Sequence, residues 1–198
     1  MARRKRGGLW HPVRTWLGRT YLRILGWRIE GDVPDEPRYV AIAAPHTSYW
    51  DFPHMIAFGF ATGQYISFLM KDSLFVGPLG PLFRGLGGVP VDRSRAGGLV
   101  ESVVREFEKR DELIVVIAPE GTRGRSEYWK SGFHHIALKA NVPIAMGFLD
   151  YGRKVVGYGP TYRPGDPGAA ELLENFYADI RGRHPEQQTP PRLRDPSS

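Results

Sequence analysis

The sequence predicts an α/β fold, in which helices pack against the faces of one β-sheet. Beyond residue 28, short runs rich in β-branched and aromatic residues alternate with stretches whose apolar residues recur at helical spacing. This alternation is typical of strands separated by helices. With 198 residues, the chain has the length of one domain that can bury a hydrophobic core. The alternation shows no internal repeat and no second domain.

Strands and helices are expected at defined places along the chain. The strands are Tyr39–Ala43, Tyr65–Met70, Gly88–Val91, Leu113–Ile117, Pro143–Leu149 and Lys154–Tyr158. The helices cover 52–61, a short piece around 78–85, 96–110, 131–140 and 168–182. The domain is therefore predicted at 29–183. Residues 184–198 contain four prolines and few large apolar groups, which predicts a flexible tail.

The positive charge of the chain is concentrated at its N-terminus. Residues 1–28 contain eight Lys and Arg and no Asp or Glu. The other residues carry 19 basic and 21 acidic side chains, so the net charge of +6 arises entirely from this segment. Arg14, Arg19 and Arg23 interrupt the apolar stretch that a signal peptide would require, so none is predicted.

This segment has the pattern of an amphipathic helix with Pro12 in its first turn. Arg19 and Arg23 lie opposite a narrow apolar sector, which is formed by Trp10, Val13, Leu17, Tyr21 and Ile24. A basic helix with Trp and Leu on its apolar side suits an anionic membrane interface. The same pattern is equally typical of a helix that docks on the protein's own core. Both interpretations, separately or together, remain open.

Two absences in the sequence restrict the class of protein. The charge-free stretch 52–70 contains Pro, His and two Gly, and it divides into a helix and a strand, so no transmembrane span is predicted. The chain has no cysteine, which excludes disulfides, Cys-ligated metal centres and a thiolate nucleophile. No spacing of His, Asp and Glu suggests a metal site.

His46 and Asp51 are the candidate catalytic pair. Both follow the strand Tyr39–Ala43 and precede a helix, which places them at the carboxyl edge of the sheet, where α/β proteins build their sites. Five residues of separation allow the carboxylate to accept a hydrogen bond from Nδ1 of the imidazole, so that Nε2 acts as a base. The alternative is that Asp51 merely caps the helix.

A second candidate is the loop that follows the most apolar strand. Residues 119–123 bring an acid, a glycine, a hydroxyl and an arginine together. Such a loop presents backbone N–H groups and a guanidinium to an anion. The alternative is a plain turn with a surface ion pair. A third stretch, 71–93, is rich in Gly and Pro, which by itself predicts only loops.

In this order, these segments resemble the glycerolipid acyltransferase family, the lysophosphatidic acid acyltransferases and their relatives. Four blocks carry the resemblance: His46–Asp51, Lys71–Gly80 with Gly87–Arg93, Pro119–Arg123 with Lys130 and Gly132, and Val142–Ile144. It spans about residues 38–150. The resemblance implies a single mixed β-sheet flanked by helices.

The resemblance also implies a reaction. A fatty acyl group passes from acyl-CoA or acyl carrier protein to a hydroxyl of a lysophospholipid or glycerol-phosphate-type acceptor. His46 is the expected general base and Asp51 orients it. Lys71, Arg93 and the block Glu120, Gly121, Thr122 and Arg123 are the expected substrate-binding residues, with the two arginines on the acceptor's phosphate. No cofactor and no metal are implied.

Pro45 departs from the family pattern, which commonly has Asn or Asp before the histidine. The departure leaves the acceptor open, and a lipid without phosphate is the alternative within the enzyme class. Outside that class, residues 1–28 of a non-catalytic protein would bind anionic membranes or nucleic acid; the net −2 of the remaining chain counts against nucleic acid. We expect a peripheral protein on the cytoplasmic face of the cell membrane. The oligomeric state does not follow from the sequence.

Overall fold

The structure, a computed structural model, describes residues 10–91 and 98–193. The strands are β1 Arg28–Glu30, β2 Arg38–Ala44, β3 Ile66–Lys71, β4 Gly88–Val91, β5 Leu113–Ile117, β6 Ile144–Asp150 and β7 Val155–Tyr162. The helices are α1 Trp10–Ile24, α2 Asp51–Thr62, α3 Gly80–Gly85, α4 Gly98–Glu108, α5 Gly132–Ala140 and α6 Ala169–Tyr177. Short 3-10 turns follow β3, at Asp72–Phe75, and α6, at Pro185–Gln187.

The strands form one seven-stranded sheet in the order β1-β7-β6-β2-β5-β3-β4. Every neighbouring pair is parallel except β6 and β7, which are antiparallel. The sheet is therefore mixed, as predicted. Because β2 lies at the centre between β5 and β6 and runs parallel to both, the loops that follow these three strands emerge at the same edge.

Both faces of the sheet are covered. Val40 and Ile42 of β2 face a core completed by α4, α5 and α6, whereas Tyr39 and Ala41 face a second core beneath α1 and α2. All residues of β6 are buried. Burial on both faces explains why these strands are continuous apolar runs.

Most predicted elements are confirmed to within one or two residues at each end. The sequence pattern missed β1, which is three residues long, contains two charged side chains and pairs only with β7. Helix α6 ends at Tyr177, earlier than predicted, and β7 extends to Tyr162.

The prediction of a flexible tail from residue 184 is wrong for 184–193. Thr189 is buried, its hydroxyl accepts a hydrogen bond from Ser126 N (3.0 Å), and Trp129 Nε1 donates to its carbonyl (3.3 Å). Leu193 forms a β-bridge with Trp129. Backbone hydrogen bonds to a buried tryptophan hold this segment, which a composition rule does not detect. Residues 194–198 lie outside the described part of the chain.

Helix α1 docks on the core mainly through the side opposite its apolar sector, and Tyr21 of that sector also packs against the core. It runs antiparallel to α2 and contacts it closely at Gly18, where an added Cβ would lie 2.4 Å from the carbonyl oxygen of Ala57. Leu22 is buried, and Arg19 Nε donates to the carbonyl of Ala61 (3.3 Å). Helix α1 therefore packs against the rest of the fold.

The apolar side of α1 remains open to solvent. Its exposed large side chains are Val13 (44%), Trp16 (64%), Leu17 (48%) and Ile24 (77%), which we call the α1 stripe. Helix α1 thus docks on the core and leaves the α1 stripe exposed. Within 10–91 and 98–193, the helices are too short or too polar to span a bilayer.

Candidate active site

His46 lies in the loop that connects the central strand β2 to α2. The loop begins after Ala44, the last residue of β2, and a cis peptide bond joins Ala44 to Pro45. Asp51 is the first residue of α2. Both predicted catalytic residues therefore lie at the carboxyl edge of the sheet, as expected.

The two side chains are hydrogen bonded. His46 Nδ1 lies 3.0 Å from Asp51 Oδ2, and Asp51 is 4% exposed. A carboxylate only accepts hydrogen bonds, so the hydrogen resides on Nδ1 and Nε2 carries the lone pair. The His46 side chain is 25% exposed and is therefore accessible from solvent. Asp51 Oδ2 also accepts a hydrogen bond from Ser48 N (3.0 Å). The same carboxylate therefore orients the imidazole and stabilises the loop.

Glu120 is completely buried beneath the His46 loop. Both of its carboxylate oxygens lie 3.2 Å from His46 N, which donates to them. Burial raises the pKa of Glu120 to about 7; nearby Asp51 adds to this effect and the hydrogen bond from His46 opposes it. The sequence placed Glu120 among the substrate-binding residues. In the structure its carboxylate instead supports the backbone of His46 and does not face solvent.

The rest of the second motif lies beside the first. Gly121 has φ +65°, and an added Cβ there would lie 2.7 Å from Lys130 Nζ. Gly121 and Thr122 are exposed, and the Arg123 guanidinium lies 3.7 Å from the centre of the Tyr49 ring. Contacts from Glu120 and Arg123 thus join the two sequence motifs at this edge of the sheet.

For two predicted site residues, Lys71 and Arg93, the structure gives less information. Lys71 is the last residue of β3, which pairs in parallel with β5, so its backbone lies at the edge of the sheet from which residues 118–123 emerge. Arg93 lies outside the described residues.

Sequence reasoning missed two residues at the site. The Tyr151 hydroxyl donates to Asp51 Oδ1 (2.7 Å), and Tyr151 directly follows the buried strand β6 beside β2. The Arg183 guanidinium lies 5.5 Å from the centre of the Trp50 ring. Position after a central strand was the available signal for Tyr151; Arg183 belongs to a segment without a motif.

The surface around His46 combines positive charge with exposed aromatic rings. Arg123, Lys130 and Arg183 form no ion pair with any other described residue, while Tyr49 is 77% and Trp50 51% exposed. Within residues 10–91 and 98–193, no group of three acidic or His side chains is placed to hold a metal ion. The arrangement places the imidazole of His46 beside basic side chains and exposed aromatic rings.

Comparison with known proteins agrees with the sequence resemblance. The family described as Acyltransferase matches residues 27–145, more than half of the chain. Among solved structures, the fold is similar to that of PlsC from Thermotoga maritima, described as the 1-acyl-sn-glycerophosphate (LPA) acyltransferase. The match has 19% identity and a TM-score of 0.58, and it covers 85% of this chain and 75% of PlsC. The curated proteins contain no match.

Proposed function

This chain belongs to the Acyltransferase family, and we propose that it transfers a fatty acyl group from a thioester donor to a hydroxyl of a lysophospholipid or glycerol-phosphate-type lipid. The observation that carries the proposal is the His46–Asp51 hydrogen bond of 3.0 Å, which leaves Nε2 of a partly exposed imidazole as the base. A chain without cysteine suits a direct attack by the acceptor, because no thiolate intermediate is required.

The proposed reaction has two steps. Nε2 of His46 takes the proton of the acceptor hydroxyl as its oxygen attacks the thioester carbonyl and forms a tetrahedral oxyanion. The oxyanion then collapses, the C–S bond breaks, and the thiolate takes the proton from Nε2 and leaves as a free thiol. Asp51 holds the ring by its Nδ1–H and stabilises the imidazolium between the two steps. The protein needs no cofactor; acyl-CoA or acyl carrier protein is the co-substrate.

Recognition of a phosphate on the acceptor is assigned to Arg123 and Arg93, with Lys71 as a further contact. Arg123 supports the assignment because it lies beside the His46 loop and has no ion-pair partner among the described residues. A guanidinium binds phosphate in bidentate fashion, which orients the acceptor hydroxyl relative to the base. Gly121 and Thr122 leave the approach to this side open.

Attachment to an anionic membrane is assigned to α1 and the basic residues around it. The α1 stripe supplies apolar side chains, and residues 1–28 supply eight basic groups. The end of α1 nearest the site lies against the first turn of α2, where Tyr21 contacts His54. A membrane bound along the stripe therefore approaches the edge that carries His46. We place the protein peripherally, on the cytoplasmic face of the cell membrane.

The proposal is tested by supplying acyl-CoA or acyl carrier protein thioesters with acceptors that differ in one group. A lysophospholipid with a terminal phosphate, the same lipid without phosphate and glycerol 3-phosphate are compared by release of free thiol and by mass spectrometry of the product. Acyl transfer that requires both His46 and the phosphate supports the proposal. Equal use of the lipid without phosphate would favour the alternative acceptor class, and thiol release that His46→Ala leaves intact would exclude the proposed mechanism.

A further inference from the structure

We propose that Tyr151 is a positioning residue of this enzyme, which holds Asp51 in the orientation that His46 requires; this inference rests on the proposed function. The Tyr151 hydroxyl donates to Asp51 Oδ1 (2.7 Å), whereas His46 Nδ1 and Ser48 N contact Oδ2. The two oxygens therefore have separate partners. Rotation of the carboxylate breaks contacts on both sides, so Tyr151 fixes the direction of the Asp51–His46 hydrogen bond.

The backbone around Tyr151 is held in place on both sides. Asp150 is buried at the end of β6, and its carboxylate accepts from Gly152 N (2.9 Å), Arg153 N (3.2 Å) and Arg153 Nε (2.6 Å). These bonds close the turn between β6 and β7. Tyr151 N donates to the carbonyl of Arg181 (2.8 Å). The backbone position of Tyr151 is therefore fixed by hydrogen bonds although the residue lies in a loop.

The ring of Tyr151 lies in an aromatic cluster with Trp27 and His54. Its centre is 4.9 Å from that of Trp27, edge to face, and 5.8 Å from that of His54. Burial, followed by the hydrogen bond to Asp51, raises the pKa of Tyr151 well above its ordinary value. The hydroxyl therefore keeps its hydrogen at every pH at which His46 acts as a base, and it remains a donor to Asp51.

Tyr151→Phe removes this hydroxyl and keeps the ring contacts. Tyr177→Phe is the matched control, because the Tyr177 hydroxyl is also buried and donates to the carbonyl of Gly147 (2.9 Å), away from Asp51. We expect kcat to fall about tenfold in Tyr151→Phe, the size typical of a lost hydrogen bond to a charged group, with KM for donor and acceptor within about twofold of the parent. Tyr177→Phe should keep the parental kcat.

A positioning role also requires that the effect depends on Asp51. In an Asp51→Ala background, Tyr151→Phe should change kcat less than about twofold, because the group through which it acts is gone. A full tenfold loss in that background would overturn the inference. So would a parental kcat in Tyr151→Phe, or a fall in kcat as large in Tyr177→Phe.

A measurement without turnover separates this inference from the proposed reaction. The Nδ1–H proton of His46 is observed by NMR of protein with labelled histidine. It should be sharp in the parent and in Tyr177→Phe and broadened by exchange in Tyr151→Phe. If the parent transfers no acyl group but Tyr151→Phe broadens the signal, the reaction is wrong and the positioning role stands. An unchanged signal in Tyr151→Phe overturns the positioning role even if the parent is active.

Discussion

The His46 loop and helix α1 contrast in how they use their side chains. Around the His46 loop, the carboxylates of Asp51 and Glu120 are buried and accept hydrogen bonds from protein donors. In α1, the large apolar side chains of the α1 stripe are exposed, while Gly18 and Leu22 contact the core. One region buries polar groups and the other exposes apolar groups.

Each region reverses the usual preference of its residues, and each reversal indicates a function. Burying carboxylates costs free energy, which hydrogen bonds only partly offset, and proteins accept this cost where charge must be oriented. Exposing a contiguous apolar surface is also unfavourable in water, and it marks a surface that another apolar phase covers. The comparison predicts that variants of the loop change chemistry, whereas variants of α1 change location.

The largest expected effect is that of removing the base. His46→Ala should lower the rate of acyl transfer by about 10² to 10⁴-fold, the range typical of general-base catalysis. His135→Ala, an exposed histidine on α5, is the matched control and should keep the parental rate. Release of free thiol measures both, and circular dichroism verifies that each variant is folded. A near-parental rate in His46→Ala would contradict the role of His46 as the general base.

Burial of Glu120 predicts a dependence of stability on pH. Its pKa rises from an ordinary value of 4.5 to about 7, so the folded state binds a proton that the unfolded state releases between these values. Glu120 therefore contributes its full stabilisation of the folded state below pH 4.5. The free energy of unfolding then falls by about 3 kcal/mol as the pH rises to 7. Glu120→Gln should lack this contribution. Urea unfolding of parent and variant across this range measures the difference, and parallel curves would contradict the assignment.

Arg123 tests whether the charged surface beside the loop binds the acceptor. Arg123→Ala should lower kcat/KM for a phosphate-bearing acceptor by about 10 to 100-fold, corresponding to about 1.5 to 3 kcal/mol for a charge-assisted hydrogen bond. KM for the donor should be unchanged. Arg125→Ala, an exposed arginine two residues further on, is the control. An equal loss in both variants would indicate a general charge effect.

The smallest effect is expected for membrane attachment, since partly inserted side chains contribute only part of their full burial free energy. Trp16→Ser combined with Leu17→Ser should weaken co-sedimentation with anionic vesicles about tenfold. Leu138→Ser, at a leucine of α5 that is 56% exposed, is the control and should leave binding unchanged. Rate in detergent with a soluble acceptor should stay parental in all variants.

Salt sharpens this last test. Binding should weaken at higher salt but persist, because screening affects the basic groups and not the apolar stripe. Deleting residues 1–28 is a poor substitute for point variants, since Leu22 and Trp27 belong to the core and their loss destabilises the domain. Parental vesicle binding by the double variant would leave the α1 stripe without a membrane function.

Local patterns predicted the strands and the catalytic pair. The alternation along 29–183 located six strands because each is a short apolar run, and the five-residue separation of His46 and Asp51 allowed the hydrogen bond that the structure contains. The contacts that were missed join distant parts of the chain: Glu120 with His46, and Tyr151 with Asp51 across 100 residues. Spacing between neighbouring residues in the sequence does not predict such long-range contacts.

The packing of α1 shows a further limit. An amphipathic pattern identifies the apolar sector but not the face that meets the core, and here a glycine that permits close approach of two helices decides it. The wrong prediction for 184–193 has a similar cause, since the hydrogen bonds of a tryptophan and a threonine order a segment that lacks an apolar run.

Thr47 of the His46 loop contacts residues that are synthesised much later than the loop itself. His184 N donates to Thr47 Oγ1 (3.1 Å), and an added Cβ at Gly182 would lie 2.7 Å from the same oxygen. A growing polypeptide is made from its N-terminus, so the loop exists long before residues 180–189 can close over it. The nascent chain therefore contains α1 and the His46 loop before residues 180–189 are made, and the loop gains its contact with His184 only afterwards.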